Sequence, residues 1–84
     1  YLNHPTFGLL FSLCMINSES ALYTTLYAQR LFFMVTTSEK GLEFSPIPRQ
    51  EARVLVETRL RLLRRSGSRQ EYDQLQLVHQ QTFR

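Results

Sequence analysis

Ser45-Pro46-Ile47-Pro48 separates two hydrophobic periods, and the change of period across it sets the fold class. Before it the chain reads in period two. Phe7, Leu9, Phe11, Leu13 and Met15 alternate with Gly8, Leu10, Ser12, Cys14 and Ile16, which strand geometry divides between two faces. Both faces carry apolar groups, so this strand is expected to be central or strongly bent. Asn17-Ser18-Glu19-Ser20 reads as a loop. Ala21 to Ala28 reads as a second strand. Leu31 to Thr37 reads as a third, where Phe32, Phe33 and Val35 favour the pleated conformation. Ser38-Glu39-Lys40-Gly41 is expected to turn with Gly41 at positive φ, and Leu42 to Ile47 returns as a short strand. Four or five antiparallel strands in so short a stretch imply a small curled sheet or barrel.

After the boundary the period becomes about 3.6. Pro46 or Pro48 can open a helix, where the missing N–H has no partner to lose. Ala52, Leu55, Val56, Leu60 and Leu63 form one apolar stripe, and Arg49, Arg53, Arg61 and Arg64 fall largely away from it. Glu57 and Arg61 are an i,i+4 pair in the favourable order. Gly67, inside Ser66-Gly67-Ser68, suits a left-handed cap. A second helix follows, with Tyr72, Leu75, Val78 and Thr82 at helical spacing and Leu77 and Phe83 beside them. The short break implies an antiparallel helical hairpin. The second helix is polar on most of its surface, so it is expected to dock weakly or to move. The expected architecture is α+β, with a β-domain over residues 1–47 and a two-helix extension over residues 48–84.

The chain has 84 residues, 43% hydrophobic, with six Phe and four Tyr, which permits a core and excludes a disordered polar tail. A chain this short has little surface to bury and is marginally stable. No apolar run approaches the ~20 residues that cross a bilayer. The N-terminus has no basic segment of the kind that opens a signal peptide, and its start at Tyr1 rather than Met leads us to expect residues upstream. A single cysteine, Cys14, excludes an internal disulfide and fits a reducing, cytoplasmic compartment. It lies between Leu13 and Met15-Ile16, a setting for a buried structural thiol rather than a nucleophile.

His4 and His79 are far apart and, with one Cys, match no zinc spacing. Three Gly form no phosphate loop, and the carboxylates fall in turns or on solvated helix faces. No enzyme and no cofactor are expected. His4, before Pro5, is read as an extended surface or hydrogen-bonded structural histidine. Charge is uneven. Residues 1–45 set Arg30 and Lys40 against Glu19, Glu39 and Glu43, whereas residues 46–84 set eight Arg against four acids. Arg59, Arg61, Arg64, Arg65 and Arg69 suggest direct nucleic-acid binding as an alternative. Glu51, Glu57, Glu71 and Asp73 dilute that charge, and a solvated, salt-bridged helix face is preferred. Tyr27-Ala28-Gln29-Arg30-Leu31-Phe32-Phe33 places a lone Arg among aromatics in the acidic half. Tyr and Arg are the residue types that anchor protein interfaces. One of Phe32 and Phe33 is expected in the core and the other in an exposed patch with Tyr27 and Arg30. Tyr1, Phe7 and Leu9 add more apolar material than one small core needs.

Several strings carry a resemblance to a known family. They are Tyr1-Leu2-Asn3-His4-Pro5-Thr6-Phe7-Gly8-Leu9-Leu10, Thr25-Leu26-Tyr27-Ala28-Gln29-Arg30-Leu31-Phe32-Phe33, Glu51-Ala52-Arg53 with Leu55-Val56, Arg59-Leu60-Arg61, Leu63-Arg64-Arg65, Gln70-Glu71-Tyr72 with Gln74-Leu75-Gln76, and Gln81-Thr82-Phe83. From Tyr1 to Phe83 the sequence resembles the cyanobacterial PII-interacting protein X (PipX) family, departing from its pattern between Cys14 and Leu22 and between Val35 and Glu43. The resemblance implies a Tudor-like (SH3-like) antiparallel β-barrel followed by a helical hairpin, with no catalysis and no bound small molecule. It implies two partners. One is NtcA, a dimeric nitrogen-control transcription factor, whose 2-oxoglutarate-bound form such proteins stabilise as coactivators. The other is the trimeric signal protein PII, which sequesters them when 2-oxoglutarate is scarce and ADP is abundant. It further implies a cytoplasmic protein, monomeric when free, that reaches DNA only through NtcA and does not engage a membrane. Carried over by position, Tyr1, Phe7, Leu9, Tyr27, Gln29, Arg30, Leu31 and Phe33 form one face shared by both partners.

Overall fold

The computed structural model describes residues 1–25 and 31–83. Five antiparallel strands run in the order β1 (Leu2–His4), β2 (Gly8–Met15), β3 (Ser20–Thr25), β4 (Phe32–Ser38) and β5 (Gly41–Ile47). Each strand pairs with the next in a meander. Two helices follow, α1 (Arg49–Ser66) and α2 (Arg69–Thr82). The α+β class, the β-to-α order and the hairpin agree with the reading of the two periods. The first strand, β1, carried no alternation of its own; only the extended backbone of His4 before Pro5 pointed to it.

The sheet curls into a half-barrel. The His4 ring on β1 and the Phe44 ring on β5, at opposite edges of the meander, have centroids 5.0 Å apart. Curling gives the sheet a separate small core on its concave face, made by Leu10, Phe33 and Val35 with Leu2, Tyr23 and Phe44 around them. The convex face carries the main core. There Leu13, Leu22 and Phe32 meet Ala52, Val56 and Leu63 of α1, Leu75 of α2, and Phe83 just beyond it. Sheet and helices therefore share one core, and each fully buried Leu or Phe in it contributes about 1.5–3 kcal/mol.

Two expectations about strand faces change. Phe32 and Phe33 are both buried, at 1% and 3% exposure. Neighbouring strand residues do point oppositely, but both faces of this sheet are covered, so neither ring is left free. In β2, Ser12 lies opposite Tyr23 and Cys14 opposite Leu22, which leaves Leu13 as an extra residue. This bulge breaks the alternation. Leu13 and Cys14 both turn toward the helices, while Met15 is thrown out of the row it shared with Phe11.

The turns follow local chemistry. Asn17 Oδ1 accepts the N–H groups of Glu19 and Ser20 at 2.8 and 2.9 Å, and Gly41 takes φ +114° as expected. Pro48 immediately precedes α1, and its carbonyl accepts the Ala52 N–H at 3.0 Å. Pro46 stays in β5. Gly67 ends α1 at φ +77°, and the Leu63 carbonyl accepts the N–H groups of Gly67 and Ser68.

The thin stripe of α2 understated its anchoring. Phe83 stacks on Phe32 with centroids 5.4 Å apart. The Arg49 guanidinium lies over the same Phe83 ring at 5.4 Å and donates to the Thr82 carbonyl. Glu57 does not turn to Arg61. It accepts from Arg53 at 3.3 Å and from His79 Nε2 of α2 at 3.1 Å, while Arg61 donates to Thr58.

Candidate functional site

A meander alternates its connections between two ends. The β1–β2 turn and the facing ends of β3 and β4 therefore emerge at the same end of the sheet. The register fixes this end more closely. Leu2 lies opposite Leu10 and Leu10 opposite Thr25, and the Thr25 N–H donates to the Leu31 carbonyl at 3.3 Å. The Thr24 hydroxyl donates to the same carbonyl at 2.8 Å.

The residues expected to touch a partner distribute as follows. Tyr1 is 82% exposed, Phe7 42% and Leu31 44%. Phe7 leans on Phe33, with centroids 5.2 Å apart, so the structure brings these two together. Phe33 is buried and supports Phe7 from below. Leu9 is half-buried and lies opposite Asn3, on the sheet face that Leu10 does not share. Tyr27, Gln29 and Arg30 lie outside the described residues. What is visible is an open end with exposed apolar groups above an aromatic floor.

His4 belongs to this end and was read only as a structural histidine. Its Nδ1 accepts the backbone N–H groups of Thr6 and Phe7 at 3.0 and 3.2 Å. Its ring packs against Phe7 at 5.0 Å and Phe33 at 6.1 Å. The signal in the sequence was the turn chemistry of His4-Pro5-Thr6-Phe7-Gly8, a proline at the second position and a glycine after it.

Elsewhere the described residues offer little chemistry. Burial pushes the Cys14 thiol up to about 11, with Arg59 pulling weakly the other way. It is a poor nucleophile, in line with its apolar sequence setting. Among the described residues no group of three His, Cys, Asp or Glu side chains is placed to hold a metal ion. None of their helices is long and apolar enough to cross a membrane. A groove open to solvent lies at the helical tip among Leu63, Arg64, Gly67, Arg69, Tyr72 and Asp73. None of the open-end residues lines it.

Fold and site define a class: a small curled sheet backed by a helical hairpin, with exposed apolar groups at one end. The chain matches the PipX family, PII-interacting protein X, across residues 1–83, and it belongs to that family. This is a family of PII-interacting regulatory proteins rather than of enzymes. No curated protein matches the chain.

Proposed function

We propose that the chain is a non-enzymatic adaptor that passes between two protein partners. It binds the PII trimer when 2-oxoglutarate is low and ADP is high. When 2-oxoglutarate rises it binds the NtcA dimer in its active form and acts as a coactivator. The β-domain, residues 1–47, carries the docking face, and the two-helix extension, residues 48–84, backs it. The supporting observation is the open end, where Phe7 and Leu31 stay exposed and Phe7 rests on the buried Phe33; Tyr1, also exposed, stands at the start of β1, and the other described rings are buried or half-buried. Exposed apolar groups gathered in one place mark an interaction surface. Tyr27, Gln29 and Arg30 fall between the ends of β3 and β4, and we assign them to the same face together with Leu9 and the supporting Phe33.

The switch needs no moving part in the adaptor. A small molecule that reshapes a partner changes that partner's affinity, and an adaptor with one face occupies one partner at a time. The effectors bind the partners, so the chain itself carries no cofactor. It works in the cytoplasm, as a monomer when free, and meets DNA only through NtcA. Direct nucleic-acid binding is the less favoured reading, because acids are interspersed through the basic hairpin. Of the arginines that suggested it, Arg69 is paired with Asp73 and Arg61 donates to Thr58, and Glu57 and Glu71 on the same two helices dilute the positive charge.

Co-purification with PII and with NtcA, each with and without 2-oxoglutarate and ADP, tests the proposal. It expects PII capture with ADP alone and NtcA capture with 2-oxoglutarate. Salt-sensitive binding of the isolated protein to DNA, with neither protein captured, would transfer the function to the basic hairpin.

A further inference from the structure

The β1–β2 turn must present Phe7 outward while leaving no backbone donor unpaired. Pro5 has no N–H, so the first donors the turn must satisfy belong to Thr6 and Phe7. His4 satisfies both, with Nδ1 at 3.0 and 3.2 Å from the two nitrogens. A ring nitrogen that accepts N–H bonds carries no proton, so the imidazole holds its hydrogen on Nε2. The ring itself is fixed on three sides. Phe33 stacks at 18°, Phe44 meets it edge-on at 83°, and Phe7 tilts at 37°. Gly8 closes the turn opposite His4 at φ +77°. Asn or Asp is the usual acceptor for such a turn. Histidine supplies both at once, an acceptor nitrogen one bond from Cγ and an aromatic ring for the cluster.

We propose that His4 is the positioning residue of the docking end: its Nδ1 lone pair, held in place by the aromatic cluster, sets the Pro5–Phe7 turn and orients Phe7 before a partner arrives. This rests on the reading that Phe7 contacts the partner. Without the acceptor, the Thr6 and Phe7 amides turn to water and Phe7 is ordered only on binding. That ordering then subtracts from affinity.

The test compares wild type with His4→Phe, which keeps a ring and loses the acceptor, and His4→Asn, which keeps an acceptor and loses the ring. Two quantities are read: hydrogen exchange of the Thr6 and Phe7 amides in the free protein, and calorimetric affinity for ADP-bound PII. His4→Phe is expected to speed exchange of both amides about tenfold and to weaken PII binding about tenfold. His4→Asn is expected to bring exchange back to within about threefold of wild type and to recover part of the affinity. Should His4→Phe not fold, His4→Leu, which fills similar apolar space and has no acceptor, takes its place. The proposal is overturned if the acceptor-deficient variant leaves both readouts unchanged, or if His4→Asn exchanges as fast as that variant. Phe7→Ala separates the two layers. Unchanged PII affinity there overturns the docking role of Phe7, while amide exchange in the free protein still decides whether His4 holds the turn.

Discussion

Glu57 receives two donors, Arg53 from its own helix and His79 from α2. The hydrogen bond from His79 is the main reason its carboxyl is held below the ordinary value of 4.5; Arg53 adds to the effect and desolvation opposes it. A carboxyl depressed in the folded state stabilises the fold above the unfolded value and loses that contribution as pH falls through the folded one. Acid titration of unfolding free energy is therefore expected to decline below about pH 4.5. Glu57→Gln should lower stability slightly at neutral pH, where the ionised carboxylate contributes, and flatten the acid decline so that the two proteins converge at low pH. An identical acid profile in the variant would contradict the pairing. Sequence spacing placed Glu57 on a helix face with basic neighbours but paired it with Arg61. It could not show that α2 brings His79 within reach, because a contact between residues 22 positions apart depends on packing.

At the scale of elements, two features of the helical hairpin are testable. Gly67 sits at φ +77°, where a side chain costs about 1–2 kcal/mol. Gly67→Ala is expected to lower stability by about that amount in urea denaturation, with no change in partner affinity. Phe83 is the larger anchor. Its ring lies in the shared core, stacked on Phe32 and covered by Arg49. Phe83→Ala is expected to cost about 3–5 kcal/mol. Amide exchange in α2 should then accelerate more than in β2–β4; equal acceleration would show that α2 does not depend on this ring. Strands β2 to β5, the helical stripe and the Gly67 cap were legible because each rests on local periodicity or one residue's backbone freedom. The bulge at Leu13 was not, because both choices at that position are apolar. The burial of Phe33 was hidden for a related reason. Alternation assigns a face to each ring, but only the curl of the whole sheet covers the second face.

At the scale of the molecule, helices take one face of the sheet and curling closes much of the other, which among the described residues leaves the β1–β2 turn with Phe7 exposed at one end. Composition had already singled out Tyr27–Phe33, and the strands β3 and β4 that flank it do end there. Tyr27, Gln29 and Arg30 lie outside the described residues, so their place on the face is carried by sequence. Arg30→Ala is expected to weaken binding to both partners by more than about 1 kcal/mol, as truncation of an interface anchor does. The helical hairpin packs its apolar stripe against the sheet rather than forming its docking end. The central claim is that PII and NtcA meet the same open end. Calorimetric titration of Phe7→Ala with PII in ADP, and separately with NtcA in 2-oxoglutarate, tests it most directly. The account expects both affinities to fall about tenfold or more while the thermal midpoint stays near wild type. A loss confined to one partner, or to neither, would contradict a shared face.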